Sequence, residues 1–188
     1  RSSAASDVYK RQHGIPWTVI ETDRCFLREM TMEDLDALYR LYEDPEITQY
    51  MEGLYEDRIK EEEYTKAYIN NMYRFYGYGM WLVIHKETGK IIGRAGLNNI
   101  EVHGVPALEM GYMIGMDYQN RGYATEVCEG IIQFAREGTE FEELHCLIEK
   151  ENEKSVHLAK KLGFVWTEEM FMKGKMMQRY TKAVQEIP

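Results

Sequence analysis

The sequence predicts a layered α/β (mixed α+β) domain, one sheet with helices packed on its faces. Three observations carry this. Short apolar runs that alternate with a period of two are interleaved with segments whose apolar residues recur at helical spacing. No linker or internal repeat divides the chain. Its 188 residues suit one well-packed domain and are short for two.

The elements follow in order. Thr31-Met32-Glu33-Asp34 sets a hydroxyl cap before an acidic first turn, and Leu35, Leu38, Leu41 and Tyr42 recur at helical spacing until Asp44-Pro45 stops them. Glu56 to Phe75 reads as a longer, more charged helix with Ile59, Tyr64, Ala67, Tyr68, Met72 and Phe75 as one apolar stripe. Gly77 to Gly79 ends it. Met80 to Lys86 and Ile91 to Leu97 flank Thr88-Gly89 as a hairpin, and Asn98 to Pro106 reads as a loop. Ala107 to Ile114 alternates as a strand, with Leu108, Met110, Tyr112 and Ile114 on one side. Ala124, Val127, Cys128, Ile131, Ile132 and Ala135 then share a helix face, and Gly138 stands at the capping end. Leu144 to Ile148 is a buried strand. Asn152, Ser155, Leu158 and Leu162 read as a capped amphipathic helix running into Gly163-Phe164. Phe164 to Met172 and Met176 to Val184 flank Lys173-Gly174-Lys175 as a second hairpin.

Between strand and helix lies Gln119-Asn120-Arg121-Gly122-Tyr123-Ala124. A helix start leaves backbone N–H groups unpartnered and carries the positive end of the macrodipole, so such a turn can hold a pyrophosphate through backbone alone. Gly122 lets an anion approach, Arg121 adds a cation, and Ala124 keeps the first helical turn slim. An ordinary polar loop can have the same letters.

E-M-G-Y-M-I at Glu109 to Ile114, Q-N-R-G-Y-A at Gln119 to Ala124, N-E-K-S at Asn152 to Ser155 and K-K-L-G-F at Lys160 to Phe164 stand in one order. Together they resemble the GNAT superfamily of N-acetyltransferases, in particular the branch related to ribosomal-protein N-terminal (alanine/serine) acetyltransferases. Glu21 to Glu29 resembles the first strand of that branch, so the likeness runs from about Trp17 to Thr181. It implies a GNAT-like single domain over 15–188, with a central mixed, largely antiparallel sheet and helices on both faces. It also implies acetyl-CoA as co-substrate, its acetyl group passing directly to a primary amine of a protein N-terminus or small molecule.

The resemblance assigns residues too. Gln119, Asn120, Arg121, Gly122, Tyr123, Ala124 and Thr125 would hold the pyrophosphate. The strand backbone at Tyr112, Met113 and Ile114 would pair with the pantetheine and supply the oxyanion donor. Asn152 would contact the pantetheine and Ser155 would lie near the sulfur, although Asn and Ser at a helix start are favoured as caps alone. Glu109 would stand beside the acceptor amine as general base; a structural pairing within the sheet explains a carboxylate there equally well. The family's usual acid, a tyrosine four residues after the position of Ser155, is Ala159 here. Ser155 or a water must then protonate the thiolate, or it leaves unassisted. An acyl-CoA-binding regulatory module without turnover is the alternative reading, which Ala159 favours.

Composition narrows the rest. The net charge of −9 argues against direct nucleic-acid binding and suits a cationic acceptor, as it suits mere solubility. No apolar run is long enough to span a membrane, and no leader pattern announces secretion. Cys25, Cys128 and Cys146 are odd in number and widely spaced, which favours reduced thiols in a cytoplasm, and no metal site is expected. Residues 1–14 lack periodicity and read as a disordered tail or processing remnant. Whether the protein forms a homodimer is left open.

Overall fold

A computed structural model describes residues 17–172 and 174–185. The expected tail over 1–14 and Lys173 of the second hairpin lie outside the described residues. The strands are β1 (Thr18–Glu21), β2 (Cys25–Arg28), β3 (Met80–His85), β4 (Ile91–Val102), β5 (Val105–Ile114), β6 (Glu143–Ile148), β7 (Val165–Met172) and β8 (Lys175–Ala183). They form one eight-stranded sheet in the order β1-β2-β3-β4-β5-β6-β8-β7. All pairs are antiparallel except β5 with β6, so the mixed, largely antiparallel sheet is found. A parallel neighbour needs a crossover, and helix α4 (Tyr123–Gly138) supplies it.

Much of the core lies between the sheet and α4. Val127, Cys128, Ile131 and Ala135 are wholly buried, on the face their spacing predicts. Burying a side chain such as Ile131 stabilises the fold by about 2 kcal/mol. Trp81 meets Phe134 edge to face at 5.0 Å. Gly138 is the last helical residue, and Thr139 closes α4 by donating to the Ala135 carbonyl at 2.7 Å. Helix α5 (Glu153–Lys161) covers β6 and ends at Gly163, whose φ of 84° is the left-handed cap that Gly163-Phe164 promises.

The opposite face carries α1 (Leu35–Tyr42), the short α2 (Pro45–Thr48) and α3 (Arg58–Tyr68), which widens into a π-helical turn over Ile69–Tyr73. A 3₁₀ turn, Met32–Asp34, leads into α1, and Arg28 clasps Asp34 with bonds of 2.6 and 2.8 Å. Burial pushes the Asp34 carboxyl up, but Arg28 and Thr31 outweigh it and hold that carboxyl below its ordinary range.

Three expectations are corrected. Glu21 to Glu29 is not one strand but the β1–β2 turn and β2, because Thr22 bonds back to Cys25 and reverses the chain. Asn98 to Pro106 is not a loop. β4 and β5 extend through it as a ribbon closed by His103 and Gly104, whose φ values of 52° and 81° make the tight hairpin turn. The stripe on α3 is rotated: Ile59, Tyr64 and Phe75 are exposed, whereas Glu61 and Thr65 are buried. Glu61 accepts from the Tyr55 backbone N–H at 2.9 Å and the Thr65 hydroxyl at 3.2 Å, which satisfies both inside. Among the described residues no helix is long and apolar enough to cross a membrane.

Candidate active site

The helix-start turn has the conformation its glycine demands. Gly122 sits at φ 83° as the N-cap of α4, and Asn120 at φ 58° is also left-handed. No side chain caps α4, so its leading N–H groups face outward. Gln119 anchors the turn, donating to the Ile114 carbonyl at 2.9 Å and accepting from Lys154 on α5 at 3.4 Å. The Thr125 hydroxyl accepts from Lys161 at 3.4 Å. Arg121 is exposed and Ala124 half-buried. The Tyr123 ring turns inward, within 3.0 Å of the His85 imidazole, leaving its backbone at the turn.

A clamp missed by sequence reasoning fixes this turn. Arg24, between β1 and β2, bonds Glu126 through its Nε at 2.7 Å and its backbone N–H at 2.7 Å, and donates to the Arg121 carbonyl at 2.9 Å. Its guanidinium also stacks 4.1 Å from the Tyr123 ring centre. Burial pushes the Glu126 carboxyl up, yet the Arg24 backbone, the Thr22 hydroxyl and the Arg24 guanidinium together hold it below its ordinary range. An acid in the first turn of a helix was the available signal; its partner is 102 positions away.

The second component is an opening in the sheet. β5 and β6 pair only at Leu108↔Leu144 and Glu109↔His145; beyond that rung β5 runs on to Ile114 with β4 as its one strand partner. Every second N–H and C=O along this edge faces the gap. Across it, the Tyr112 hydroxyl donates to Ser155 Oγ at 3.0 Å, and Asn152 caps α5 by accepting from the Ser155 N–H at 3.2 Å. Burial raises the Tyr112 phenol far above its ordinary value, so it stays protonated as a donor. Ala159 lies buried on α5, and no hydroxyl stands there. An uncapped helix start, an open strand edge and the capped α5 fit the diphosphate and amide-rich arm of coenzyme A.

The third component is the other face of the same strands. Glu109 is half-buried, with the Asn98 amide 3.5 Å from its carboxylate. Met113 is buried and shares this face. His145, missed in the sequence, occupies the neighbouring position to Glu109 on β6, bonded to Thr181 at 3.0 Å. Burial, and then the Arg179 guanidinium, lower its pKa, so it is neutral at physiological pH. Two tyrosines near this face are structural: Tyr68 accepts from the Met80 N–H at 2.6 Å and Tyr73 donates to the Met80 carbonyl at 2.5 Å. Cys128 and Cys146 are buried, and burial pushes both thiols up, as inert core thiols require.

Fold and site together define an acetyltransferase scaffold. Residues 24–165 match the family described as Acetyltransferase (GNAT) domain, and the chain belongs to that family, as an acyltransferase enzyme. It is 28% identical over 162 residues to "Uncharacterized N-acetyltransferase p20" of Bacillus licheniformis, covering 86% of each chain. Among solved structures, the ribosomal L7/L12 alpha-N-protein acetyltransferase RimL superposes with a TM-score of 0.74 at 16% identity, over 89% of this chain and 94% of that one. The microcin C7 self-immunity acetyltransferase MccE, solved with acetyl-CoA and AMP, gives a TM-score of 0.66 at 18% identity, over 86% and 93%.

Proposed function

We propose that this enzyme transfers the acetyl group of acetyl-CoA directly to a primary amine, of a protein N-terminus or of a small molecule, through a ternary complex. The unit that carries the activity is the domain over 15–188. One observation supports the reading above the others. The open edge of β5 begins at the rung that carries a carboxylate, Glu109, on one face, and it has a hydroxyl pair, Tyr112 and Ser155, on the other. Acetyl-CoA supplies the activated acetyl thioester.

The residues divide the remaining work. An amine of lysine type has a pKa of roughly 10 and must lose a proton before it attacks, so Glu109 accepts that proton directly or through a water. Those N–H groups of the Tyr112, Met113 and Ile114 stretch that face the opening are donors for the carbonyl oxygen as it becomes negative. Asn152 holds the start of α5, and hence Ser155, against the opening. Because Tyr112 donates to Ser155 Oγ, the serine's own O–H is left to donate a hydrogen bond to the departing thiolate, which stabilises it in place of the missing tyrosine at Ala159. The turn from Gln119 to Thr125 grips the diphosphate through Arg121 and the leading N–H groups of α4.

Free thiol measured after mixing the purified protein with acetyl-CoA and a broad amine panel tests this. Saturable release that depends on the amine is expected. No release from any amine, with no heat of coenzyme A binding by calorimetry, would overturn it.

A further inference from the structure

The cation on β4 that the mechanism does not use is Arg94. Its neighbours on this face are paired: Arg28 is held by Asp34 at 2.6 Å and Arg179 by Glu168 at 2.8 Å. Among the described residues Arg94 forms no ion pair. It sits instead among phenols, its guanidinium carbon 5.9 Å from the Tyr68 ring centre, with Tyr42 in hydrogen-bonding reach and Tyr73 nearby. Phenols are neutral at physiological pH and cannot balance the charge. Its Nε is buried without an acceptor, while the residue as a whole is half-buried. A largely buried cation without a counter-ion is costly unless a ligand supplies one.

Register connects this cation to Glu109. Asn98 faces Glu109 across the β4–β5 pair, and Arg94, four positions earlier on β4, faces Met113. With a two-residue period, Arg94 and Glu109 lie on the same face, about 13 Å apart along the strands. The row between them is Gly96 opposite Gly111, without side chains of its own. The Met80 thioether covers it, its sulfur 3.4 Å from where a Cβ on Gly111 would stand. Carboxylate, pliable apolar floor and guanidinium thus follow one another along the face.

Resting on the acetyl-transfer reading, we propose that Arg94 binds an oxyanion, a carboxylate or a phosphate, that the acceptor carries several bonds from its reacting amine. The favoured acceptor is then an amine with an anionic tail. A fork of N–H donors suits either oxyanion.

Matched acceptors test this: glycylglycylglycine against its C-terminal amide, and O-phosphoethanolamine against ethanolamine. The wild-type enzyme should favour the charged member of at least one pair by about ten- to hundredfold in kcat/KM, and the pair that shows it tells carboxylate from phosphate. In Arg94→Met that ratio should fall to near one, with Arg94→Lys between. A wild-type ratio near one in both pairs overturns the proposal, as does a ratio that survives Arg94→Met while both rates drop together. Should circular dichroism show that Arg94→Met does not fold, the same reading is taken from Arg94→Lys. If no amine is acetylated, the transfer reading falls by itself. Calorimetry of the four compounds with the coenzyme-free protein then decides: Arg94-dependent binding of a charged member upholds the anion site, and equal binding within both pairs overturns it.

Discussion

The two faces of the sheet meet at one opening but are built differently. On the α4 and α5 face the proposed binding surface is mostly backbone: a left-handed Gly122, uncapped helix N–H groups and the free edge of β5. On the face under α1 and α3 it is side chains: Glu109, Asn98, His145, Met80 and Arg94, drawn from four strands. Backbone donors recognise what every coenzyme A molecule shares, whereas side chains can change one at a time without disturbing the strand beneath. The first face suits a fixed co-substrate and the second a variable acceptor.

That division makes separable outcomes. The largest is expected at Glu109. Glu109→Gln should lower kcat by about a hundredfold or more while leaving the calorimetric affinity for coenzyme A within about twofold. An unchanged kcat would remove Glu109 as the base and leave that face without its chemical role. Gly122→Ala should do the reverse. Its φ of 83° makes any side chain strained by roughly 1–2 kcal/mol, and the new Cβ would lie 3.4 Å from an Arg24 nitrogen. Coenzyme affinity should fall about tenfold, with kcat at saturation little altered; a variant that binds coenzyme A normally would show that the turn is not the grip. The smallest effect sharpens the account of the leaving group. Tyr112→Phe removes the bond to Ser155 and should slow turnover about fivefold, roughly the 1 kcal/mol of one hydrogen bond. The loss should shrink with an acyl donor whose thiol is more acidic, measured by the same thiol release.

The same division explains what the sequence revealed. The turn, α4, β5 and α5 are local, so capping residues and apolar periodicity display them, and the buried face of α4 from Val127 to Ala135 emerges as its spacing predicts. The proposed acceptor face is assembled by register, and no local pattern announces that Arg94 and Glu109 share a face. Polar letters also misled. Asn98, Asn99 and Glu101 suggested a loop, but they belong to a ribbon whose hydrogen bonds are made strand to strand and whose His103-Gly104 turn is short. Glu61 and Thr65 bury their polar atoms by bonding each other, which a hydrophobic stripe cannot anticipate. The Arg24 to Glu126 clamp joins the first hairpin to a helix a hundred positions on, so only the folded chain displays it.

The short parallel contact between β5 and β6 has a mechanical consequence. With two rungs across the middle of an eight-stranded sheet, the molecule resembles two leaves bound along a narrow spine, β1 to β5 on one side and β6 to β8 on the other. Lateral tension would concentrate at Leu108 and Glu109, and a break in the chain between the leaves, near Thr139 to Glu142, divides the sheet where it has the fewest bonds to lose.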